Sequence, residues 1–393
     1  MLENFYNTAT EKGFYSPVRL MAGENSRNKI PDLVRGKGPV VVVTDVLFTD
    51  DPLVEALAPV RRIIVSAEPN ETTLLATALE IPKDTAWIVA IGGGSAMDTA
   101  KAIAAYLRFG KLRIRDESAQ SGAPHLIAVP TTAGSGSETS RFFIMHENET
   151  GLKTSVRSWA IAPELAVLDP YFLCNAPSPM LILGAFDAFM HLWETFVCRN
   201  ERSPISDAFC LTGMPQILKR IKKLQTGSLN AEDFMQLQLA ASMGGVAISN
   251  VRTGMAHTMG ESLAAQVNIS HPASLYVFFS NVMRSYAHVI QDRVALLDAA
   301  TQTMAPEFGA VTIESICSFW YSIFEAADLA NDIENTIVTQ GVSVTHLVKT
   351  IARDSVLQKE NPTEFTDADI LLIVEMALKR FDGDRNMTQS ATA

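Results

Sequence analysis

Residues 87–101 read Trp-Ile-Val-Ala-Ile-Gly-Gly-Gly-Ser-Ala-Met-Asp-Thr-Ala-Lys, and the order of residue types in this stretch decides the fold. Trp87 to Ile91 is a near-continuous apolar run, the pattern of a strand buried on both faces. From Ala96 the residues favour helix, and the glycines between make the turn. Strand, glycine loop and helix in succession make one βα unit of a parallel sheet. Working outward, Pro39 to Thr44 (PVVVVT), Arg62 to Ser66 (RIIVS) and Leu126 to Val129 (LIAV) are runs of the same kind, and Leu165 to Leu168 is a candidate for another. Short apolar strands alternating with helical patterns predict an α/β domain with a parallel sheet covered by helices.

Beyond Pro177 and Pro179 the character changes. β-branched runs thin out, and long segments rich in Ala, Leu, Met and Gln carry helical periodicity. Helices are expected near 179–198, 204–223, 231–249, 253–267 and 273–288, with more to about 382. The chain has 393 residues, and a single core stops growing at about 250–300, so two domains are expected. The boundary near 178 assigns 1–177 to the α/β domain and 178–393 to an all-α domain.

Lys and Arg total 32 against 43 Asp and Glu, a net charge of −11, so no global positive field draws in nucleic acid. Apolar residues make up 47% and charged residues 19%, which excludes a disordered chain and leaves apolar surface for a subunit partner. The most apolar stretch, Leu181 to Cys198, is interrupted by Asp187, His191 and Glu194, and no uncharged run reaches the length of a bilayer span. The first residues lack an apolar targeting segment. The expectation is a cytoplasmic protein with no membrane partner. Cys174, Cys198, Cys210 and Cys317 form no C-x-x-C pair and are expected to be buried small hydrophobes.

Gly92-Gly93-Gly94-Ser95, between strand and helix, offers backbone N–H groups and a helix dipole to an anion, pyrophosphate being the natural occupant. A bare strand-to-helix turn would use the same glycines. Neither G-x-G-x-x-G nor the P-loop spacing is present. Pro130-Thr131-Thr132-Ala133-Gly134-Ser135-Gly136-Ser137-Glu138 leaves another strand end with hydroxyls and glycines in a row. In open parallel sheets ligands bind beyond the carboxyl ends of strands. Asp45 ends the PVVVVT run, where a carboxylate either accepts from a ribose 2′-hydroxyl while repelling a 2′-phosphate, favouring NAD, or simply caps the next helix.

Asp187 and His191, four apart on a helical pattern, project from one face and can meet on one cation, and a carboxylate with an imidazole suits iron or zinc. His257 and His271 supply two further imidazoles. On one continuous helix they would lie about 21 Å apart, so sharing a metal requires a break, which Asn268, Ser270 and Pro272 supply.

Taken together, these residues resemble the iron-containing, group III alcohol dehydrogenase family over nearly the whole chain. The resemblance rests on Gly92 to Lys101, on Pro130 to Glu138, and on Asp187-Ala188-Phe189-Met190-His191-Leu192-Trp193-Glu194, which is similar to the family's Asp-Ala-x-x-His-x-x-Glu helix. It implies an N-terminal dinucleotide-binding domain, a helical C-terminal domain of the dehydroquinate synthase-like architecture, and an active site in the cleft between them. It implies metal ligands at Asp187, His191, His257 and His271, for ferrous iron or zinc, and NAD contacts at Asp45, Gly93, Gly94, Ser95, Asp98, Thr131, Thr132 and Lys153. The implied reaction is hydride transfer between NAD(H) and a small primary alcohol or aldehyde, in a homodimer or larger homo-oligomer. The sequence also departs from the family. Glu261 stands where a second histidine often follows the third ligand, which makes it a candidate proton relay, and Pro272 replaces a common glycine. Rival readings are a zinc enzyme similar to glycerol dehydrogenase or dehydroquinate synthase, and an NAD-binding regulatory homologue without catalysis.

Overall fold

The computed structural model describes residues 13–114, 122–148, 153–227, 229–353 and 360–380. The N-terminal stretch read above for a targeting segment, residues 1–14, lies outside them apart from residues 13 and 14. Six strands form one parallel sheet: β1 (Arg19–Ala22), β2 (Val40–Asp45), β3 (Arg61–Val65), β4 (Trp87–Gly92), β5 (His125–Pro130) and β8 (Leu165–Leu168), in the order β1-β8-β5-β4-β2-β3. Two strands absent from the sequence reading, β6 (Phe142–His146) and β7 (Lys153–Arg157), form a separate antiparallel pair. The edge strand β1 was also not foreseen. It is four residues long and mostly exposed, so it carries neither a long apolar run nor a clean alternation.

The alternation of β2 shows why this sequence makes a doubly covered sheet. Val40 and Val42 enter one apolar cluster with Leu53 and Val54 of α2 (Pro52–Ala56), while Val41 and Val43 enter the opposite cluster with Ala100 and Ala104 of α4 (Gly94–Phe109). Successive side chains leave a strand on opposite faces, so burying every one demands a helix layer on each side. Each fully buried valine contributes about 1.5–3 kcal/mol. After β3 the chain crosses back over β2 to reach β4. The strand order therefore reverses between β2 and β4, the switch point where such sheets bind ligands.

The second half is helical, beginning with α5 (Ser178–Val197), α6 (Pro204–Thr226), α7 (Ala231–Asn250), α8 (Met255–Ala264) and α9 (His271–Ser285). This confirms the two-part fold class. By length and composition α5 could cross a membrane, but 83% of its apolar window is buried within the protein, so it is a core helix. Contacts divide the chain into two compact units. Within the described residues the first takes in everything to Phe196 together with Glu201–Arg252 and Ala299–Gly309. The second takes Val197–Asn200, Thr253–Asp298 and everything from Ala310. This division does not run at residue 178, because α5 and α7 pack against the loop after β5. A Cβ on Gly134 would lie 2.8 Å from Gly184 Cα, and one on Gly136 would lie 2.5 Å from Gly245 N. Backbone touches backbone at both places, which only glycine permits. Three cysteines are buried as expected, whereas Cys174 is exposed, since it follows the last strand in a surface turn.

Candidate active site

A cleft of 590 Å³ opens where the strand order reverses, and Asp45, Gly93, Gly94, Ser95, Thr131 and Thr132 all line it. Helix α4 begins there with Gly93 as its N-cap, no side-chain cap and no acidic residue in its first turn. Its leading N–H groups have no intrahelical partners, and the residues bearing them form the cleft wall. Gly92 is required by packing, for its Cβ would come 2.6 Å from Ala96 Cβ and 3.2 Å from Asp45 Oδ2. Asp45 caps the turn that follows β2 and is also a wall of the cleft. Its Oδ1 accepts the Leu47 N–H at 3.0 Å as a cap, its Oδ2 accepts the Thr131 hydroxyl at 3.2 Å, and it still lines the cleft. Burial pushes its carboxyl up, more than the hydrogen bonds from Thr131 and the backbone of Leu47, Phe48 and Gly93 pull it down.

Asp98 and Lys153 do not line this cleft. Asp98 accepts the Ser137 hydroxyl at 2.9 Å and the Ile144 N–H at 3.0 Å. Beside it, fully buried Lys101 donates to Ser137 Oγ at 2.9 Å, Ser140 Oγ at 3.0 Å and the Phe142 carbonyl at 2.7 Å. Burial pushes Lys101 down to about 8, against the pull of Asp98 and Glu138, while burial pushes both carboxyls up. Glu138 accepts the Ser242 hydroxyl at 2.6 Å. Asp98, Lys101 and Glu138 thus fasten the loop carrying Thr131 and Thr132 to α4 and α7. Lys153, on β7, donates to Glu68 Oε1 at 2.8 Å, and Glu68 does line the cleft. Burial pushes Glu68 up, but Lys153 and His146, whose Nε2 lies 2.9 Å away, together hold it below its ordinary value. Sequence reasoning missed Glu68, although its place just past β3, at the carboxyl end of a strand, was a usable signal.

The four expected metal ligands form two pairs. Helix α5 starts at Ser178-Pro179, proline being favoured in the first turn, and is apolar nearly all round, which marks a buried helix. Asp187 and His191 are 4% and 5% exposed, and the four-residue spacing brings His191 Nε2 to 3.8 Å from Asp187 Oδ1. His257 and His271 meet otherwise. Helix α8 ends at Ala264 and α9 begins at His271, with Pro272 in its first turn, so the expected break is there. The returning helix packs on α8 at Gly260, where a Cβ would lie 2.8 Å from Leu275 Cδ2 and 3.0 Å from Ser274 Oγ. The two imidazole rings then stand 5.3 Å apart between centroids. The intervening turn is pinned from outside by Gln340, which accepts the Asn268 N–H at 2.7 Å. Glu261 sits on α8 one turn beyond His257.

Comparison with known proteins identifies the family. Residues 17–170 match the family described as iron-containing alcohol dehydrogenase, and residues 181–378 match the Fe-containing alcohol dehydrogenase family, C-terminal. The NAD-dependent methanol dehydrogenase of Bacillus methanolicus is 30% identical over 188 residues, 47% of this chain and 49% of that protein. The bifunctional aldehyde-alcohol dehydrogenase of Escherichia coli K12 is 30% identical over 220 residues, 51% of this chain and 24% of that one. These matches therefore span half or less of the relatives' own lengths. An iron-containing alcohol dehydrogenase structure from Thermococcus thioreducens superposes with a TM-score of 0.77 at 22% identity, covering 93% of this chain and 100% of that one. With both parts of the family matched in order along 352 of 393 residues (154 from 17–170 plus 198 from 181–378), the chain belongs to the iron-containing alcohol dehydrogenase family.

Proposed function

We propose that the protein catalyses reversible hydride transfer between NAD(H) and a small primary alcohol or its aldehyde, with Asp187, His191, His257 and His271 holding one divalent cation. The observation that carries this reading is the donor set. One carboxylate and three imidazoles, grouped in two pairs, suit ferrous iron or zinc, and all four lie in the stretch matching the family's C-terminal part. When bound, NAD(H) supplies or accepts the hydride and the cation supplies Lewis acidity.

The remaining roles fall to the chain itself. Residues 1–177 hold the dinucleotide: Gly94 and Ser95 offer N–H groups to its pyrophosphate, Gly93 lets it approach the backbone closely, and Thr131 and Thr132 line its path. Asp45 accepts from a ribose 2′-hydroxyl and repels a 2′-phosphate, favouring NAD over NADP. Asp98 acts by fastening the Thr131 loop, and Lys153 by holding Glu68 at the cleft. Residues 178–393 supply the ligands, and Glu261 carries the proton that accompanies hydride transfer. Four free cysteines fit a reducing compartment, in keeping with a cytoplasmic enzyme. The low charged fraction fits a homodimer or larger homo-oligomer.

The test is metal content per chain after anaerobic purification without a metal-binding tag, followed by NADH oxidation with a series of small aldehydes. About one iron or zinc per chain and metal-dependent turnover are expected. A chain that takes up neither ion, or one fully active without metal, would overturn the reading.

A further inference from the structure

The cleft has a wall that none of the polar loops accounts for. Phe48, Tyr171 and Phe172 all line it. The Phe172 ring meets Phe48 edge-on at 5.3 Å and Tyr171 edge-on at 5.1 Å. Tyr171 is 40% exposed, and the Arg27 guanidinium carbon lies 3.7 Å from its ring centroid. Both partners of that stack are tied to one buried carboxylate at the carboxyl end of β8. Asp169 accepts from Arg27 Nη1 at 2.9 Å, from the Arg27 N–H at 3.2 Å and from the Tyr171 N–H at 3.1 Å. The ring is therefore fixed before any ligand arrives, with a cation against it and exposed area left at the cleft.

A pre-positioned aromatic ring in a ligand cleft is a stacking surface for a flat aromatic group. The half of the dinucleotide that meets it follows from Asp45. A carboxylate at the end of such a strand takes the adenosine ribose, and the residues that follow it, Val46, Leu47 and Phe48, share the cleft with Tyr171. We propose that Tyr171, positioned by Arg27 and Asp169, is a cofactor-binding residue on which the adenine ring stacks, and that it sets affinity for the adenosine half. This inference rests on the reading of the cleft as an NAD site.

The experiment is calorimetric titration with ADP, NADH and nicotinamide mononucleotide, the last lacking adenine. Wild type is compared with Tyr171→Ala, Tyr171→Phe, Tyr171→Trp and Arg27→Met. Tyr171→Ala should weaken ADP and NADH about 10-fold and leave nicotinamide mononucleotide unchanged. Tyr171→Phe and Tyr171→Trp keep a ring and should stay within about 2-fold, with Arg27→Met between the two groups. Wild-type affinity for ADP in Tyr171→Ala, or an equal loss for all three ligands, would overturn the stacking role while leaving the NAD site standing. If wild type binds neither ADP nor NADH, the reading of the cleft falls, and this inference with it.

Discussion

The two ligand pairs are built by different means. Asp187 and His191 meet because one helix places residues four apart on the same face, whatever packs around it. His257 and His271 meet because two helices, separated by a turn, touch where Gly260 has no side chain. The first pair therefore depends on helix formation alone, and the second on a contact that one methyl group can open. The cofactor cleft repeats the contrast. Asp45 is held locally by the Leu47 N–H and at long range by Thr131, 86 residues away. Among the described residues, Glu68 hydrogen-bonds at long range, to His146 and Lys153, 78 and 85 residues away.

Removing a ligand outright should erase the contrast. Asp187→Ala and His257→Ala are each expected to cut bound metal below about a tenth of an ion per chain and turnover more than about 1000-fold, while NADH still binds. Elemental analysis and fluorescence titration would show it, and full metal occupancy in either variant would remove that residue from the set.

Gly260→Ala tests the packing-built pair alone. Metal affinity should fall about 10- to 100-fold, the range for disturbed support of a ligand. Its counterpart is Gly244 on α7, whose added Cβ would rest 3.4 Å from His191 Cβ, a tight but tolerable contact. Gly244→Ala should change metal affinity less than about 2-fold. Equal effects of the two substitutions would refute the contrast.

Between these extremes lie the two carboxylates of the cleft. Asp45→Gly should relax the preference for NADH over NADPH about 10-fold in kcat/KM, and an unchanged ratio would leave Asp45 as a cap only. Glu68→Gln should be gentler and dependent on pH. Because Lys153 and His146 hold the Glu68 carboxyl below its ordinary 4.5, the folded state binds fewer protons there than the unfolded chain. The stabilisation is then complete above about pH 4.5 and lost as pH falls through the lowered value. Acid-limb melting curves of Glu68→Gln should be flatter than those of wild type, and parallel curves would mean that the ion pair contributes nothing to stability.

Much of this was readable from residues in order. PVVVVT and WIVAI can be buried on both faces only in a covered parallel sheet, and the His257–His271 break was visible in Asn268, Ser270 and Pro272. Strands β1, β6 and β7 were not, because short, partly exposed strands owe their shape to partners rather than to pattern. Asp98 illustrates the same limit. The family resemblance implied a cofactor contact there, while only the fold shows the hydrogen bonds it accepts from Ser137 and Ile144, which fasten a loop.

The sequence by itself determined what depends on local spacing: the βα alternation, the glycine turn opening α4, the Asp187–His191 pair, and the need for a turn before His271. Only the tertiary structure decided which distant groups share a site. Glu68 with Lys153, Tyr171 under Arg27, and His257 beside His271 are brought together by strand order and helix packing. The reason is physical. A helix or strand fixes neighbours within a turn through backbone geometry, while groups tens of residues apart meet only once burial of the core has set where each element lies.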